Sequence, residues 1–240
     1  MSDRFAHPHP GHESWRHKVR RPDGVVVLAS GGLDSCVLVA HMARRRRTVY
    51  PLFVKAGMVW ENAELAALRR FLQALPEPLA RRVAPLKVVS SGLGGLYGSH
   101  WSTTGQGVPS WNATDDSVYL PGRNIMLISA AAVHAALLGV PRVALGPLQG
   151  NPFPDSSRAF FSAMRRAVSQ GLDFPIRLEA PFMRMDKEQV IRLGEDLPLD
   201  LTFSCSRPRG GRACRRCAKC RERILALKGA SRTARRAAAR

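Results

Sequence analysis

The stretch of sequence that decides the fold is Gly24-Val25-Val26-Val27-Leu28-Ala29-Ser30-Gly31-Gly32-Leu33-Asp34-Ser35. Its first half is a continuous apolar run rich in β-branched residues, which is typical of a strand buried on both faces of a parallel sheet. The turn Ser30-Gly31-Gly32 ends this strand, and the apolar residues that follow predict a helix over residues 33–44. A strand, a glycine turn and a helix in this order are the start of an α/β fold.

The same alternation of strands and helices continues along the chain. Further strands are predicted at residues 48–54, 86–89, 142–145 and 177–179, and helices at 61–75, 125–138, 157–170 and 187–195. Because strands that alternate with helices form parallel sheets covered on both faces, we predict an α/β fold with a doubly wound, mostly parallel sheet. Residues 90–119 show no periodicity, and a loop of this length is typical of a functional segment.

The composition is that of a globular chain with an uneven distribution of charge. Its 240 residues, 45% of them hydrophobic, are enough for one domain with a buried core. The formal net charge of +19 would ordinarily suggest a nucleic-acid partner. From Arg207 onward, however, thirteen Lys or Arg residues stand against Glu222 alone, so most of the charge lies in the C-terminal region. We expect a disordered basic tail; nucleic-acid binding through it stays open but is not favoured.

The first residues, 1–23, are polar and contain no apolar run that could form the core of a signal peptide. The longest apolar stretch, residues 125–140, is too short to span a membrane and is interrupted by Ser129 and His134. These features predict a flexible leader and a cytoplasmic protein without membrane attachment.

The turn after the first strand has the character of a phosphate-binding loop. Its two glycines lack the Cβ atoms that would keep the backbone from a phosphate, and the helix start presents free N–H groups. Ser30 and Ser35 add hydroxyl groups, and Asp34 could hold Mg²⁺ or cap the helix. A tight Gly-Gly turn with an Asp/Ser cap is the structural alternative. The loop is neither a Walker A nor a dinucleotide motif, and it resembles the PP-loop of enzymes that split ATP into AMP and pyrophosphate.

Four cysteines near the C-terminus form a second motif, C-x8-C-x2-C-x2-C. This spacing predicts a tetrahedral Zn²⁺ with four thiolate ligands and no open position, and so a structural role. Basic residues between the cysteines would offset the negative charge of the cluster. An iron–sulfur cluster and unligated cysteines are the alternatives, and Cys36 is expected to be a small core residue. The predicted zinc ligands are Cys205, Cys214, Cys217 and Cys220.

Further motifs follow the PP-loop in a fixed order along residues 25–227. They are Leu120-Pro121-Gly122-Arg123-Asn124, Lys187 after Ala180-Pro181, and Thr202-Phe203-Ser204-Cys205 with the remaining cysteines. This order resembles the 7-cyano-7-deazaguanine synthase family of PP-loop ATP pyrophosphatases. On this basis we divide the chain into a flexible leader (1–23), a PP-loop ATP pyrophosphatase domain (24–200), a four-cysteine zinc segment packed on it (201–227) and a basic disordered tail (228–240).

The resemblance implies an enzyme that adenylates 7-carboxy-7-deazaguanine with ATP and Mg²⁺. Ammonia would then convert the product, through an amide, to 7-cyano-7-deazaguanine. It implies catalytic roles for Asp34, Arg123 and Lys187, and substrate binding by Arg123, Asn124 and Asp155. The implied partners are a small heterocyclic carboxylate and ammonia, and a homodimer stays open. The implied ATP site is lined by Ala29, Ser30, Gly31, Gly32, Leu33, Asp34, Ser35, Cys36, Val37, Leu38 and Val39.

Two stretches depart from the pattern of the family. Residues 55–61 read Lys-Ala-Gly-Met-Val-Trp-Glu where the family has an Asp-Tyr-Gly-Gln-like stretch. Residues 153–157 read Phe-Pro-Asp-Ser-Ser where the family has Tyr-Pro-Asp-Cys-Arg, so Asp155 is kept while the cysteine and the arginine are not. Because these positions lie on the substrate side in the family, ATP chemistry is better supported than the deazaguanine substrate.

Three alternative functions follow from these observations. A divergent paralogue would amidate or conjugate another carboxylate. A PP-loop enzyme that thiolates tRNA would account for the basic tail, although it would normally need a sulfur-carrying or iron–sulfur arrangement of cysteines. A non-enzymatic, zinc-stabilised RNA-binding module is disfavoured by the intact loop at residues 30–35, which has little use without a phosphate.

Overall fold

One parallel sheet forms the centre of the computed structural model, which describes residues 19–45 and 48–238. Its order is β3-β2-β1-β4-β5, and every neighbouring pair of strands is parallel. This confirms the predicted α/β fold with a doubly wound sheet. Strands β1 to β5 span Gly24–Leu28, Thr48–Lys55, Lys87–Ser90, Arg142–Ala144 and Arg177–Glu179.

The helices of these two ranges connect the strands and cover both faces of the sheet. Short 3-10 turns at Asp115–Val118, Pro154–Ser156 and Leu199–Leu201 separate some of them. Helices α1 to α9 span Leu33–Arg45, Glu61–Gln73, Glu77–Ala80, Leu93–Tyr97, Trp101–Thr104, Arg123–Leu138, Arg158–Gly171, Lys187–Leu193 and Ala218–Ala238.

The apolar run of β1 is continuous because both faces of this strand are buried. Successive side chains of a strand point to opposite faces. Val25 and Val27 belong to the core that contains the buried side of α1, whereas Val26 belongs to the core beneath α6, with Ala131 and Phe174. All three valines are fully buried, as the absence of alternation in their sequence predicted.

The strand order determines where a ligand site lies. Strand β1 pairs with β2 on one side and with β4 on the other, and the chain leaves β1 and β4 in opposite directions across the sheet. In open α/β sheets, ligands bind at the carboxyl ends of the strands at such a switch point. The loop at residues 29–32 follows β1 and the loop at residues 145–151 follows β4, so these two loops border the expected site.

The aperiodic segment between β3 and α6 packs against residues 56–60 and forms a small hydrophobic core with them. Trp101 stacks on Trp60 with ring centroids 5.7 Å apart, and the pair packs near Met58, Leu93 and Leu120. The sequence indicated a functional loop here, without predicting α4 or α5. Their few apolar residues are spaced for contact with residues 56–60 rather than along one helix face.

The C-terminal helix differs from the sequence prediction. The backbone of α9 is helical as far as Ala238, within the range 228–240 that was predicted to be a disordered tail. Alanine and arginine, which are frequent in this range, are both strong helix formers.

Residues 239–240, and residues 1–18 of the predicted leader, lie outside the described part of the chain. No helix in the described ranges has both the length and the apolar character that crossing a membrane requires.

The loop after β1 approaches the backbone of α2 closely at Gly31. This residue has φ of +85°, and a Cβ atom there would lie 2.3 Å from the carbonyl oxygen of Glu64 in α2. From the sequence, both glycines are expected to make room for a phosphate. For Gly31 the structure gives a different reason, because the missing side chain makes room for the backbone of α2.

We expect Gly31→Ala to lower the free energy of unfolding by about 2–5 kcal/mol, from left-handed strain together with overpacking. The matched control is Gly92→Ala, since Gly92 also has positive φ, at +69°, but no atom of the described residues lies within 4 Å of its ideal Cβ. It should lose only about 1–2 kcal/mol. Urea unfolding of both variants measures the difference, and equal losses would contradict the contact with α2.

Candidate active site

A cleft of about 290 Å³ lies at the carboxyl ends of β1 and β4. A second cavity of about 710 Å³ adjoins it and shares Asp34, Arg123, Lys187 and Glu222 with it. The loop after β1 forms one wall of the first cavity and the loop after β4 contributes Gly146 and Pro147. The cleft therefore lies at the switch point of the sheet, where the strand order placed it.

Two serine hydroxyls hold the loop after β1 in its shape. The Ser30 amide donates to Ser35 Oγ at 3.1 Å, and the Gly32 amide donates to Ser30 Oγ at 3.3 Å. Ser35 Oγ in turn donates to the carbonyl oxygen of Gly32 at 3.1 Å. From the sequence, these hydroxyls are expected to donate to a phosphate. In the structure they form hydrogen bonds with other residues of the loop. The N–H groups of the first turn of α1 have no intrahelical acceptor and are the donors that suit an anion.

The structure places about half of the residues of the predicted ATP site in the cleft. Gly31 contacts α2, and Cys36, Val37, Leu38 and Val39 are fully buried in the core on the inner side of α1. Because a helix turns every 3.6 residues, a continuous run along α1 cannot face a single cavity. The predicted residues that do line the cleft are Ala29, Ser30, Gly32, Leu33, Asp34 and Ser35.

A chain of four alternating charges crosses the cleft. Lys187 Nζ lies 2.7 Å from Asp34 Oδ2 and 2.7 Å from Glu222 Oε1, so this ammonium group joins two carboxylates. Lys219 Nζ lies 3.2 Å from Glu222 Oε2 and ends the chain. The structure thus brings together the predicted residues Asp34 and Lys187, and adds two residues of α9 that the sequence argument did not assign to the site.

The charges in this chain stabilise one another against burial. Burial alone would lower the pKa of Lys187, but the carboxylates of Asp34 and Glu222 outweigh it and the pKa is raised. Burial alone would raise the pKa of Glu222, but Lys219 and Lys187 lower it to about 2. Both groups are therefore ionised at neutral pH. Asp34 Oδ1 is buried and has no hydrogen-bond partner among the described residues, which leaves it available to a ligand.

Arg123, at the first position of α6, lines both cavities. Its Nε atom is buried and has no acceptor within residues 19–45 and 48–238. An unpaired buried donor is costly, and the planar guanidinium group is suited to carboxylate or phosphate oxygens. The predicted role of Arg123 in binding an anionic group stays a prediction.

Asn124 and Asp155 form hydrogen bonds with each other at the edge of the second cavity. The Asn124 amide donates to Asp155 Oδ2 at 3.1 Å, and Asn124 Nδ2 donates to the carbonyl oxygen of Asp155 at 3.0 Å and to Ser156 Oγ at 3.2 Å. A carboxylate at the N-terminus of α6 is also favoured by the helix dipole. Both residues line the second cavity, and their bonds fix the start of the helix that carries Arg123.

Glu64 of α2 is a cleft residue that the sequence argument missed. Burial raises the pKa of its carboxyl group to about 8, an effect that Arg123 and Lys219 oppose only in part. At neutral pH this carboxyl group is mostly protonated and can donate a hydrogen bond. The sequence held no signal for it, because a glutamate in an amphipathic helix is ordinarily an exposed residue.

Residues 55–61, which depart from the pattern of the family, are stabilised by hydrogen bonds to the carboxylate of Glu61. Glu61 is buried, and its two carboxylate oxygens accept the amides of Ala56 and of Gly57, the latter at 3.1 Å. Trp60, next to it, forms part of the cleft wall. The unusual residues of this stretch thus build a turn and a wall of the site.

The four cysteines of the C-terminal motif form one cluster, with all Sγ atoms within 4.8 Å of one another. Four thiolates around one Zn²⁺ at about 2.3 Å would stand about 3.8 Å apart. The Sγ atoms of Cys214 and Cys220 are 3.9 Å apart. Amides of Ser206 and Cys214 donate to the sulfurs at 3.4 and 3.2 Å, and such bonds favour the thiolate form. The cluster can hold a metal ion, and its donor set fits Zn²⁺.

The segment around this cluster is attached directly to the loop after β1. The Phe203 amide donates to the carbonyl oxygen of Gly31 at 2.8 Å, and Ser204 lies beside Gly32. Arg223 of α9 donates to Thr202 Oγ1 and, at 3.1 Å, to the carbonyl oxygen of Leu199. The four-cysteine segment therefore forms a wall of the cleft.

A glycine-serine loop at the switch point of a parallel sheet, facing the half-buried cations Arg123 and Lys187, defines an α/β protein with a cleft suited to an anionic ligand. Comparison with known proteins gives the family of the chain. The family model of queuosine biosynthesis protein QueC matches residues 24–231. The 7-cyano-7-deazaguanine synthase 1 of Desulfitobacterium hafniense (strain Y51) is 33% identical over 209 residues, which cover 85% of this chain and 90% of the relative.

A second relative is the 7-cyano-7-deazaguanine synthase of Anaeromyxobacter dehalogenans (strain 2CP-C), 34% identical over 210 residues, or 81% of this chain and 87% of the relative. The chain belongs to the QueC family of queuosine biosynthesis proteins, as the resemblance in its motifs indicated. It is an enzyme of a ligase-like type.

We expect about one equivalent of zinc per chain, and Cys217→Ser should lose most of it. The variant should also unfold more readily, because metal binding and folding are one event in such segments. Cys36→Ala is the control, since Cys36 lies in the core of α1 and should leave the zinc content unchanged. Elemental analysis measures the metal, and a zinc-free parent or an iron–sulfur absorption band would contradict the assignment.

The raised pKa of Glu64 makes stability depend on pH. Between the ordinary value of 4.5 and about 8, the folded chain holds a proton that the unfolded chain releases. The contribution of Glu64 to stability therefore falls as pH rises through this window. Glu64→Gln removes it, so the stability of the variant relative to the parent should rise from pH 5 to pH 8. Urea unfolding at both pH values tests this, and a constant difference would contradict it.

Proposed function

We propose that this enzyme uses ATP and Mg²⁺ to adenylate 7-carboxy-7-deazaguanine and converts it with ammonia to 7-cyano-7-deazaguanine. Membership of the QueC family and the names of the two relatives support the product. The proposal includes a structural zinc in the four-cysteine cluster and a cytoplasmic location.

The observation that carries the proposal is the state of Asp34. One of its carboxylate oxygens is bound by Lys187, while Oδ1 is buried without a hydrogen-bond partner in the described part of the chain. A buried unpaired carboxylate oxygen is costly unless a ligand completes it. Beside the first turn of α1, this oxygen suits the Mg²⁺ that accompanies a polyphosphate. The anion itself would be held by the amides of that turn and by Lys187 and Arg123.

In the first step, a carboxylate oxygen of the substrate attacks the α-phosphorus of ATP and pyrophosphate leaves. Ammonia then attacks the acyl carbon, so that AMP leaves and an amide and a proton are formed. The amide oxygen then attacks the α-phosphorus of a second ATP, pyrophosphate and a proton leave, and loss of AMP and a second proton gives the nitrile. Donors fixed in advance around the developing phosphate charge stabilise each transition state.

The residue at position 156 limits this mechanism. Ser156 is buried, and its hydroxyl accepts a hydrogen bond from Asn124 where the family has a cysteine. Cys205 lines the first cavity, but it belongs to the metal cluster. A thiol nucleophile is therefore absent from the described walls of the cleft outside that cluster, and ammonia acts on the adenylate directly.

The same serine favours a second candidate function. A divergent member of the family would stop at the amide, or conjugate another carboxylate. This alternative shares the ATP site and the acyl-adenylate, and differs only after the first displacement. The tRNA-thiolating alternative is disfavoured, because a structural zinc would take up all four clustered cysteines.

The deciding experiment is mass spectrometry of the product formed from 7-carboxy-7-deazaguanine, ATP, Mg²⁺ and ¹⁵N-ammonia. We expect a nitrile that carries ¹⁵N, with AMP and pyrophosphate released in equal amounts. Asp34→Asn should bind ATP but turn over more slowly by about 10²-fold. An amide alone would support the divergent alternative, while unchanged substrate and intact ATP would refute the proposed function.

A further inference from the structure

Lys219 has a position that its place in the sequence does not suggest. It lies between Cys217 and Cys220, where a basic residue is expected to offset the charge of a thiolate cluster. The structure instead places it in the lining of both cavities. Its side chain is 48% exposed, so that the ammonium group is accessible from the cleft.

The partner of Lys219 is shared with the nucleotide site. Glu222 accepts Lys187 on Oε1 at 2.7 Å and Lys219 on Oε2 at 3.2 Å. Two ammonium groups that lie beside the same carboxylate group would repel each other, and the negative charge of that carboxylate offsets the repulsion. Glu222 therefore holds two cations side by side in the cleft, one from α8 and one from α9.

The flanking cysteines fix the backbone of Lys219. Cys217 and Cys220 are buried, and the Ala218 amide donates to the carbonyl oxygen of Pro109 at 3.2 Å. The side chain of a lysine is flexible, but its Cα is thus held on both sides. A cation on a fixed backbone, beside a cleft that opens onto the first turn of α1, is placed to meet an anion there.

We propose that Lys219 is a second polyphosphate-binding cation of this cleft, presented next to Lys187 by Glu222 and supplied by the four-cysteine segment. The inference rests on the proposed function, since it concerns the phosphates of ATP. It assigns the segment a part in ligand binding in addition to its structural part.

The test is binding of α,β-methylene-ATP, which cannot be cleaved between the α- and β-phosphorus, by calorimetry in the presence of Mg²⁺. Lys219→Met keeps the apolar stem and removes the charge, and it should weaken binding about tenfold, as expected for one charge-assisted hydrogen bond. Lys219→Arg should restore most of the affinity. In steady-state kinetics, Lys219→Met should raise KM for ATP with little change in kcat.

Arg216→Ala is the matched control. Arg216 is exposed, lies between Cys214 and Cys217, and lines neither cavity, so the variant removes one positive charge from the same segment away from the cleft. Its affinity should stay within about twofold of the parent. Adenosine provides the second control, because it carries no phosphate and its affinity should not respond to Lys219→Met.

Each outcome separates this inference from the proposed function. A parent that does not bind the analogue would refute the proposed function and the inference with it. If the parent binds and Lys219→Met binds equally well, only the inference falls. An equal loss for adenosine, or a loss of zinc from the variant, would show that Lys219 acts on the structure of the segment and would also overturn the inference.

Discussion

The contact of Gly31 with its two neighbours is the constraint on which the site depends. On one side the glycine lets the backbone of α2 approach, and on the other its carbonyl oxygen accepts the amide of Phe203. The loop after β1 is therefore held between a helix of the α/β domain and the four-cysteine segment. Its position decides where the first turn of α1 points and where Glu64 and Ser204 line the cleft.

Charge in the cleft is arranged to be nearly balanced before a ligand arrives. Asp34 and Glu222 oppose Lys187 and Lys219, and burial keeps Glu64 largely neutral. Partly buried charges such as those of Asp34 and Lys187 are tolerated when they are paired in this way. The pairing holds the ammonium groups ionised and oriented, so that an incoming polyanion meets cations that are already in place.

The sequence predicted the fold and the two main motifs because their signals are local. The apolar run of β1, the glycine turn and the cysteine spacing each require only neighbouring residues. Glu64, Lys219 and Glu222 were missed since they join the cleft only through tertiary packing. The predicted ATP site ran too far along α1, because a linear motif ignores the helical turn that buries Cys36 and Val39. The sequence also could not show that Gly31 faces α2.

The attachment of the four-cysteine segment has a consequence for how the enzyme is made. Residues 202–222 supply a wall of the cleft, and a ribosome releases them after the whole sheet. A nascent chain that has already paired all five strands still lacks this wall. The cleft is therefore completed only after Cys217 and Cys220 have been synthesised and have joined the cluster. The order of synthesis thus makes the cleft the last part of the fold that can be completed.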